Sequence, residues 1–452
     1  MAVRNADYLI IGNSAAGVTA AESIRAHAAD ASIVVVDRDP HPAYGRPLIS
    51  YLMEGKTTEE RMRLKDAGFY EDQRIEALLG SGFEVVEIDP AGHVASLAGG
   101  DAVEYGKCLL ATGSTPFVPP IEGLEGKRNV HAFLTLDDAK GAWDEARRAT
   151  EEAHGAGRES RAVVIGAGLI GLKAAEALSH HIDEVLVLEL APRILPAVLD
   201  DEGAGILQGT LANHAVTCLP GVSASRILGE GDMATGVALT NGEEADCDMI
   251  VAAVGVRPNS ALAVRAGAEQ GRGLVCGADL QTSLPDVYAA GDVVQVTDSL
   301  DGSERPLALW PNAVRQGRLA GLHMAGVPDA EAFEGGFAVN AVDFFDASLL
   351  TAGIINPPAD AGFEVDVRVE EGSYAKFVMR EGRLVGYILL NRPWNAGIYT
   401  ALIDQRTALA DLEGDPFGAA PENIAFSADA RWERLHKCYP GDRNRLGWKE
   451  RA

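Results

Sequence analysis

Residues 162–171 read AVVIGAGLIG, an apolar run of strand character that passes through a glycine-rich turn into a helix-like stretch. Residues 8–17, YLIIGNSAAG, repeat this arrangement near the start of the chain. The N-terminus of a helix carries unpaired N–H donors and a partial positive charge, and glycine lets the backbone approach an anion closely. Each turn therefore predicts a binding site for a pyrophosphate, and two turns predict two dinucleotides bound by one chain.

An acidic residue stands after each turn, at the end of the next apolar run. Asp37 follows the run 33–36, and Glu189 follows the run 185–188. Such an acid accepts hydrogen bonds from the ribose hydroxyls of a bound dinucleotide. The middle glycine of the first turn is replaced by Ser14, which fits if its side chain points away from the phosphates. Ordinary tight turns in an α/β sheet are the alternative, but the complete order of strand, turn, helix, strand and acid occurs twice.

Length and charge limit the class of protein. The chain has 452 residues, 47% of them hydrophobic, and a formal net charge of −27. This length suggests several domains, and the acidic balance makes nucleic acid and anionic membrane surfaces poor partners. No apolar run is long enough to cross a bilayer, and the first strand follows the N-terminus directly, without room for a signal peptide. We therefore expect a cytoplasmic protein without membrane insertion.

The five cysteines are far apart, and no two of them form a C-x-x-C pair. This spacing argues against a disulfide scaffold, a zinc site and an iron–sulfur cluster carried by this chain. Cys108 lies in an apolar run and is predicted to be buried, whereas Cys438 lies in a polar tail and is predicted to be the most exposed thiol. The adjacent His180 and His181 point to different sides of a helix, so no metal site is expected.

The sequence pattern changes in the C-terminal part of the chain. From about residue 336 to residue 406, short strand-like runs joined by turns such as Glu381-Gly382 predict a hairpin-rich α+β domain. The stretch from residue 411 is rich in proline, glycine and charge, and it predicts an irregular tail that contacts a partner.

Four motifs together resemble the FAD- and NAD(P)H-dependent pyridine nucleotide-disulfide oxidoreductase superfamily. They are the first turn with Asp37, the run Ala111-Thr112-Gly113, the second turn with Glu189, and the run Ala289-Ala290-Gly291-Asp292. The resemblance extends to about residue 410. It implies an α/β fold with two Rossmann-like dinucleotide-binding domains, for FAD and NAD, and a C-terminal α+β interface domain. The implied boundaries are 1–118 and 258–332 for the two segments of the FAD domain, 119–257 for the NAD domain, 333–410 for the interface domain and 411–452 for the tail.

The resemblance also implies which residues hold the two cofactors. The implied FAD-binding residues are Gly12, Ser14, Ala15, Ala16, Gly17, Asp37, Arg38, Arg46, Pro47, Ala111, Thr112, Gly113, Gly291, Asp292, Pro311, Asn312 and Ala313. The implied NAD-binding residues are Gly166, Gly168, Leu169, Ile170, Glu189 and Gly255. Because a carboxylate repels the 2′-phosphate of NADPH and accepts a hydrogen bond from the 2′-hydroxyl of NADH, Glu189 predicts a preference for NADH.

Tyr44 helps to distinguish between subfamilies with and without a redox-active cysteine. In coenzyme A disulfide reductases and related NADH oxidases and peroxidases, a redox-active cysteine stands at the matching position. A phenol forms neither a mixed disulfide nor a sulfenic acid, so the usual thiol chemistry is missing here. Residues 46–50 are more similar to the flavin modules of rubredoxin reductases and nitrite reductases. They are also similar to flavin subunits that work with iron–sulfur proteins beside carbon monoxide dehydrogenases or aldehyde oxidoreductases.

Lys173 is a second departure from the family pattern. Many relatives carry a glutamate at this position, and that glutamate pairs with a lysine near the flavin N5, whereas here Arg46 occupies the partner region. Two cations cannot form such an ion pair, but they stabilise an anionic reduced flavin. Arg46 and Lys173 are therefore the predicted catalytic residues, and the alternatives are a solvent-facing Lys173 or an alignment shifted by one helical turn.

These features predict an FAD-dependent NADH:acceptor oxidoreductase. It exchanges a hydride between NAD(H) and the flavin N5, and single electrons with an iron–sulfur protein or subunit. The chain then works as a homo-oligomer or as the flavin subunit of a larger complex, such as an aldehyde oxidoreductase or carbon monoxide dehydrogenase system. Two alternatives stay open, namely a stand-alone NADH oxidase or disulfide reductase, and a redox-responsive flavoprotein without enzymatic function.

Overall fold

The computed structural model describes residues 2–359, 361–413, 415–418 and 425–426. These residues form two compact units. The first unit comprises residues up to 338 together with 344–346, and the second comprises 339–343 and the described residues from 347 onward. Within the described ranges, no helix combines the length and the apolar character that crossing a bilayer requires.

A mostly parallel sheet forms the N-terminal part of the first unit. Its elements are β1 (Val3–Ile11), α1 (Ala15–His27), β2 (Ile33–Asp37), α2 (Ile49–Met53), α3 (Glu59–Met62), α4 (Phe69–Asp72), β3 (Ile75–Leu79), β4 (Val85–Asp89), β5 (Val94–Leu97) and β6 (Ala102–Leu110), with 3₁₀ turns at Arg46–Leu48 and Ser81–Phe83. The strand order is β3-β2-β1-β6-β5-β4, and β1 pairs in parallel with both β2 and β6. The first glycine turn therefore lies at the carboxyl edge of the central strands, where open α/β sheets bind ligands.

A second parallel sheet lies within the same unit. Its part of the chain contains β7 (Ser114–Pro116), β8 (Val130–His131), α5 (Leu136–Gly155), β9 (Arg161–Ile165), α6 (Leu169–Ser179), β10 (Glu184–Glu189), α7 (Asp201–Ala212), β11 (Val216–Pro220), β12 (Ala224–Leu228), β13 (Gly236–Leu239), β14 (Glu244–Asp246), β15 (Met249–Ala252) and β16 (Val256–Pro258). The parallel strand order is β11-β10-β9-β15-β8, and β12, β13 and β14 form a small antiparallel sheet. The chain enters and leaves this region through β7 and β16, which pair antiparallel.

The chain then returns to the first sheet. The elements of this return are α8 (Ala261–Arg265), β17 (Val287–Ala289), β18 (Gln295–Thr297), β19 (Glu304–Pro306) and α9 (Trp310–Met324). Strand β17 pairs in parallel with β6, and α9 packs along α1. The two helices touch backbone to backbone, since a Cβ atom at Gly317 would lie 2.2 Å from the carbonyl oxygen of Ala16. A Cβ atom at Gly291 would lie 3.4 Å from the Ala16 side chain, so the returning segment reaches the first glycine turn.

The second unit is an antiparallel sheet with one α-helix in the described ranges. Its elements are β20 (Val339–Phe344), β21 (Ala347–Gly353), β22 (Phe363–Glu370), β23 (Ser373–Arg380), β24 (Arg383–Leu390), α10 (Ala396–Asp404), β25 (Leu412–Glu413) and β26 (Ala425–Phe426), with a 3₁₀ turn at Leu409–Asp411. The strand order is β20-β21-β24-β23-β22, and β23 and β24 form a hairpin through Glu381 and Gly382. The predicted α/β fold with two Rossmann-like sheets and a C-terminal α+β domain is confirmed. The domain boundaries stay predictions.

Short parts of the C-terminal tail are described and contact the rest of the second unit, and the prediction of an irregular tail from residue 411 stays a prediction. Strands β25 and β26 pair antiparallel. Arg368 lies 2.9 Å from the Asp415 carboxylate, and the Phe417 ring stacks on Phe377 with the ring centroids 4.1 Å apart. These contacts come from remote strands, so the composition of the tail did not reveal them. Most of the later tail, including Cys438, lies outside the described residues.

Candidate active site

The first glycine turn is held tightly against the end of β6. Gly12 has a φ of +119°, a conformation that other residues rarely adopt, and a Cβ atom there would lie 2.1 Å from the carbonyl oxygen of Ala111. A Cβ atom at Gly17 would lie 2.0 Å from the carbonyl oxygen of Gly12. This close packing brings the N-terminus of α1 to the carboxyl end of β1.

The second glycine turn repeats this geometry at the end of β9. Gly166 has a φ of +105°, and a Cβ atom there would lie 2.5 Å from the carbonyl oxygen of Ala253. A Cβ atom at Gly171 would lie 1.9 Å from the carbonyl oxygen of Gly166. The first unit therefore contains the same tight approach of helix to strand twice.

Each acidic residue is bonded to the turn that it was predicted to serve. Asp37 accepts a hydrogen bond from the backbone N–H of Asn13 at 2.6 Å, and Glu189 accepts one from the N–H of Ala167 at 2.8 Å. Asn13 and Ala167 are equivalent positions, each directly after the first glycine of its turn. The two carboxylates therefore lie at the rim of the turns, where the ribose of a dinucleotide is expected.

The helices behind the two turns lack side-chain caps. The N-cap residues of α1 and α6 are Ser14 and Gly168, and in the described part of the chain no side-chain hydrogen bond caps either helix. In contrast, Thr135 and Asp200 cap α5 and α7. The first N–H groups of α1 and α6 are therefore available to a ligand. A pyrophosphate suits this position, because its oxygens accept hydrogen bonds and its negative charge is favoured at the N-terminus of a helix.

The middle position of each turn is compatible with the residue that stands there. A Cβ atom at Gly168 would meet no atom within 4 Å, and its φ is −76°. Ser14 has a φ of −127°, an extended value that any residue adopts. The serine therefore fits without backbone strain, and the open space in front of α6 is where a pyrophosphate would approach the helix.

A desolvated carboxylate and a half-buried cation lie near each other in the first region. Asp292 accepts a hydrogen bond from the Ser114 hydroxyl at 3.0 Å, and burial raises the pKa of this carboxyl group against the lowering effects of Ser114 and Arg46. Arg46 is half-buried, and its guanidinium makes no hydrogen bond or ion pair with another residue of the described ranges. Its guanidinium is therefore available to a ligand, which fits its predicted place in the FAD site.

Asn259 holds Thr112 and Gly113 in place, a role that the sequence analysis missed. The Thr112 hydroxyl donates to the backbone oxygen of Asn259 at 2.9 Å, and the Asn259 side-chain amide donates to the Thr112 carbonyl at 2.8 Å. The Asn259 N–H donates to the Gly113 carbonyl at 2.9 Å. These bonds close the junction of β7 and β16. The sequence feature that could have indicated this role is the position of Asn259 directly after the strand-like residues that follow Gly255.

The remaining predicted cofactor residues lie at the helix starts or at the edge of this region. Ala15, Ala16, Leu169 and Ile170 lie at the starts of α1 and α6. Pro311 and Asn312 lie in the first turn of α9, which has no side-chain cap. Arg38 is exposed, with its guanidinium 3.6 Å from the Glu84 carboxylate. Pro47 is exposed as well.

Tyr44 links the two nucleotide regions through its hydroxyl group. The residue is 6% exposed, and its hydroxyl donates to the Asp39 carboxylate at 3.1 Å and accepts from the backbone N–H of Leu136 at 3.0 Å. Burial raises the pKa of the Tyr44 phenol, so this group stays protonated at neutral pH. The position of the redox cysteine in the related disulfide reductases is therefore occupied here by a group with two structural hydrogen bonds.

Four of the five cysteines lie in the described ranges, and all four are free thiols. Burial raises the pKa of Cys218, Cys247 and Cys276 to about 12, and it raises the pKa of Cys108 as well. Thiols with such pKa values stay protonated and unreactive near neutral pH. The prediction that Cys108 is buried is confirmed, since the residue is 0% exposed.

Lys173 lies in a buried ion network, so the solvent-facing alternative is wrong. Its side chain is 13% exposed, and its Nζ lies 3.4 Å from the Glu54 carboxylate and also donates to the Glu176 carboxylate. The charge of Lys173 is thus balanced by two buried carboxylates, which the comparison of motifs did not indicate. The roles of Arg46 and Lys173 at the flavin stay predictions.

Comparison with known proteins identifies the family. The family model for pyridine nucleotide-disulphide oxidoreductases matches residues 6–317. The chain belongs to this family. Subunit epsilon of the NADH-dependent phenylglyoxylate dehydrogenase from Aromatoleum evansii is 32% identical over 419 residues, which cover 91% of this chain and 94% of that protein. An NADH oxidase from Methanocaldococcus jannaschii is 33% identical over 328 residues, covering 71% of this chain and 70% of the oxidase.

A solved structure extends the similarity over nearly the whole chain. A ferredoxin reductase from Rhodopseudomonas palustris superposes with a TM-score of 0.77 at 27% identity, covering 95% of this chain and 99% of that one. Pyridine nucleotide-disulphide oxidoreductases bind FAD and NAD(H), so the protein is an oxidoreductase with these two cofactors. The glycine turns, the uncapped helices and the bonded acids fit both cofactors.

The hydroxyl of Tyr44 is expected to stabilise this pyridine nucleotide-disulphide oxidoreductase. Tyr44→Phe leaves the Leu136 N–H without its partner, and a buried group left unsatisfied costs about 1–3 kcal/mol in the free energy of unfolding. Urea unfolding followed by circular dichroism measures the change. The matched control is Tyr8→Phe, because the Tyr8 hydroxyl makes no hydrogen bond within the described ranges. Equal unfolding midpoints for both variants would contradict the structural role of Tyr44.

Proposed function

We propose that this protein is an FAD-dependent NADH:acceptor oxidoreductase that exchanges a hydride with NAD(H) and single electrons with an iron–sulfur protein or subunit. The observation that carries the proposal is a double cradle, in which two uncapped helices each begin at a glycine turn held by a carboxylate. One cradle suits FAD and the other suits NAD(H), and both belong to the same compact unit.

Each residue of the cradles has a role in this proposal. The N–H groups at the starts of α1 and α6 bind the two pyrophosphates, and Asp37 and Glu189 accept hydrogen bonds from ribose hydroxyls. Asp292 accepts from the ribityl chain of FAD. Arg46 and Lys173 are assigned to the flavin ring, where the positive charge of Arg46 favours the reduced form, whereas the charge of Lys173 is balanced by Glu54 and Glu176. Bound FAD supplies a centre that takes up two electrons and releases them singly.

The class of electron acceptor follows from the missing thiol. Tyr44 stands where disulfide reductases carry a redox cysteine, and the thiols of the described ranges have pKa values raised by burial. Electrons then leave the flavin directly, and a one-electron carrier is the matching acceptor. Two similar proteins support this, since one is named as a subunit of an NADH-dependent dehydrogenase and the other as a ferredoxin reductase. The protein would act alone as a reductase or as the flavin subunit of a complex.

A second candidate function is direct reduction of oxygen. The observation in its favour is the 33% identity with the NADH oxidase of Methanocaldococcus jannaschii. This candidate needs no protein partner, so it predicts rapid turnover with NADH and oxygen alone.

Reoxidation of the reduced protein distinguishes these candidates. The purified protein is reduced with NADH under anaerobic conditions and is then mixed separately with ferredoxin, rubredoxin, oxygen or coenzyme A disulfide, while the flavin absorbance is followed. Rapid reoxidation by the iron–sulfur proteins alone supports the proposal. Rapid reoxidation by oxygen supports the oxidase, and rapid reoxidation by the disulfide contradicts the interpretation of Tyr44. Slow reoxidation by every acceptor contradicts both candidates.

Glu189 sets the choice of nicotinamide cofactor in this proposal. We expect NADH to be preferred, because the carboxylate accepts from the 2′-hydroxyl and repels a 2′-phosphate. In Glu189→Gln this repulsion is gone, so the ratio of kcat/KM for NADH to kcat/KM for NADPH should fall by about tenfold to a hundredfold.

The matched control for this prediction is Glu184→Gln. Glu184 lies at the opposite end of β10, where its half-exposed carboxylate is 2.8 Å from the Arg161 guanidinium. Steady-state kinetics with both nucleotides should show no change of preference in this variant. An unchanged preference in Glu189→Gln would remove Glu189 from the ribose site.

A further inference from the structure

Four charged residues form an ion network between the two nucleotide regions, in which two buried carboxylates contact one largely buried lysine and one exposed lysine. Glu54 follows α2 directly and Lys56 stands two residues later, whereas Lys173 and Glu176 lie on α6. The Lys56 Nζ is 2.6 Å from the Glu54 carboxylate and 3.9 Å from the Glu176 carboxylate. The Lys173 Nζ is 3.4 Å from Glu54 and donates to Glu176. Each glutamate therefore contacts both lysines.

The ion network connects elements that lead to the two cofactor regions. Helix α2 follows the 3₁₀ turn that begins with Arg46, and α6 begins at the second glycine turn. Lys173 is four residues beyond the first residue of α6, which is about 6 Å along the helix axis. A second link joins the end of α2 to the segment directly after α6, because the His181 Nε2 donates to the backbone oxygen of Met53 at 2.7 Å. The Lys173 Nζ also lies 4.6 Å from the centre of the Tyr51 ring.

The burial of the two carboxylates in this ion network is unfavourable in itself. The side chains of Glu54 and Glu176 are 0% and 1% exposed. Removing two carboxylates from water costs free energy, and well-packed apolar side chains are often as stabilising as a buried ion pair. Glu54 contacts the two lysines through ion pairs, whereas Glu176 accepts a hydrogen bond from Lys173. Separating these opposite charges would leave a buried carboxylate unpaired, so the contacts fix the position of one segment against the other. The network is therefore better explained by precise placement than by stability alone.

We propose that Glu54 and Glu176 are positioning residues for hydride transfer. By holding Lys173 they fix α6 against α2, and they thereby set the distance between a nicotinamide bound at the second turn and a flavin bound at the first. The step concerned transfers the C4 hydrogen of NADH, with both electrons of its bond, to the flavin N5. NADH is oxidised to NAD⁺, and the flavin is reduced by two electrons. This inference rests on the proposed function.

Glu54→Gln tests the positioning role because it keeps the shape of the side chain and removes its charge. In anaerobic stopped-flow measurements on the FAD-loaded protein, we expect the limiting rate of reduction by NADH to fall by about tenfold to a hundredfold, because small misplacements of the reacting groups lower rates by such factors. The Kd for NAD⁺ should stay close to that of the parent, since the second turn is untouched. Glu54→Asp keeps the charge and should recover part of the rate. Hydrogen–deuterium exchange should be faster in the peptides that cover α2 and α6 of Glu54→Gln.

Glu59→Gln is the matched control for this experiment. Glu59 of α3 also joins the two regions, because its carboxylate lies 2.7 Å from the Lys140 Nζ of α5. Unlike the buried carboxylates of Glu54 and Glu176, the Glu59 carboxylate is exposed, with side-chain exposures of 53% for Glu59 and 37% for Lys140. We expect the reduction rate and the hydrogen–deuterium exchange of Glu59→Gln to equal those of the parent.

The possible outcomes separate the positioning role from the proposed function. A Glu54→Gln variant that is reduced at the parental rate overturns the positioning role and leaves the proposed function intact. A lower FAD content with an unchanged rate per bound flavin overturns it too, because a purely structural role gives that result. If dithionite reduces the parent protein but NADH does not, the proposed function fails and the positioning role fails with it.

Discussion

Gly168→Asp is expected to abolish reduction by NADH while leaving the fold and the FAD content intact. Gly168 is the N-cap of α6, its φ of −76° suits any residue, and a Cβ atom there meets no atom within 4 Å. Aspartate is a favourable N-cap, so we expect the free energy of unfolding to rise by about a few tenths of a kcal/mol. The new carboxylate lies where the pyrophosphate would bind, and such repulsion should lower kcat/KM for NADH by at least about a hundredfold.

Three measurements on one preparation check this expectation. They are the rate of ferricyanide reduction by NADH, the flavin absorbance relative to protein, and the urea midpoint. Gly168→Asn is the control, because it has nearly the same shape without the charge and should lose less activity. An aspartate variant with parental kcat/KM would show that the N-terminus of α6 does not bind the pyrophosphate of NADH.

Gly12→Ala is expected to remove FAD from the protein. A Cβ atom at Gly12 would lie 2.1 Å from the backbone oxygen of Ala111, and its φ of +119° is unfavourable for alanine. The strain and the clash together should cost about 3 kcal/mol or more, because the contact is with backbone at the end of β6. The turn must then open, and the N–H groups of α1 lose the placement that a pyrophosphate requires. We expect less than about a tenth of the purified chains to carry FAD.

The flavin released by heat and compared with total protein measures this occupancy. Gly80→Ala is a matched control, since Gly80 has a similar φ of +115° but no atom within 4 Å of an added Cβ. It should keep its FAD and lose about 1–2 kcal/mol of stability through strain alone. Full occupancy in Gly12→Ala would mean that the first turn does not hold FAD.

The two cofactor turns were predictable because their chemistry is local in the sequence. A glycine at position 12 or 166 in such a run indicates the backbone conformation directly, and the acid that serves each turn ends the next strand. The fit of Ser14 was less certain from the sequence, because it depends on a φ value that only the structure supplies. The tail after residue 411 was predicted from composition, and composition does not show which remote strands it contacts.

The surroundings of Tyr44 and Lys173 were not predictable, because their partners come from distant parts of the chain. The Tyr44 hydroxyl bonds to the backbone of Leu136, which is 92 positions away. Lys173 on α6 meets Glu54 at the end of α2, and no local pattern connects the two. The sequence comparison paired Lys173 with Arg46 as two cations, whereas packing surrounds Lys173 with two carboxylates. A motif indicates which residue stands at a site, and tertiary structure decides which charges accompany it.

In the proposed function, the flavin is the single redox centre between NADH and an external acceptor. An anaerobic titration of the FAD-loaded, full-length protein with NADH, followed by the flavin absorbance, shows whether any other group takes up electrons. We predict complete bleaching after one equivalent of NADH per bound flavin, because Tyr44 cannot store electrons and the raised pKa values of the described thiols keep them protonated. A requirement for a second equivalent before bleaching is complete would reveal a redox-active thiol in the chain and contradict this account.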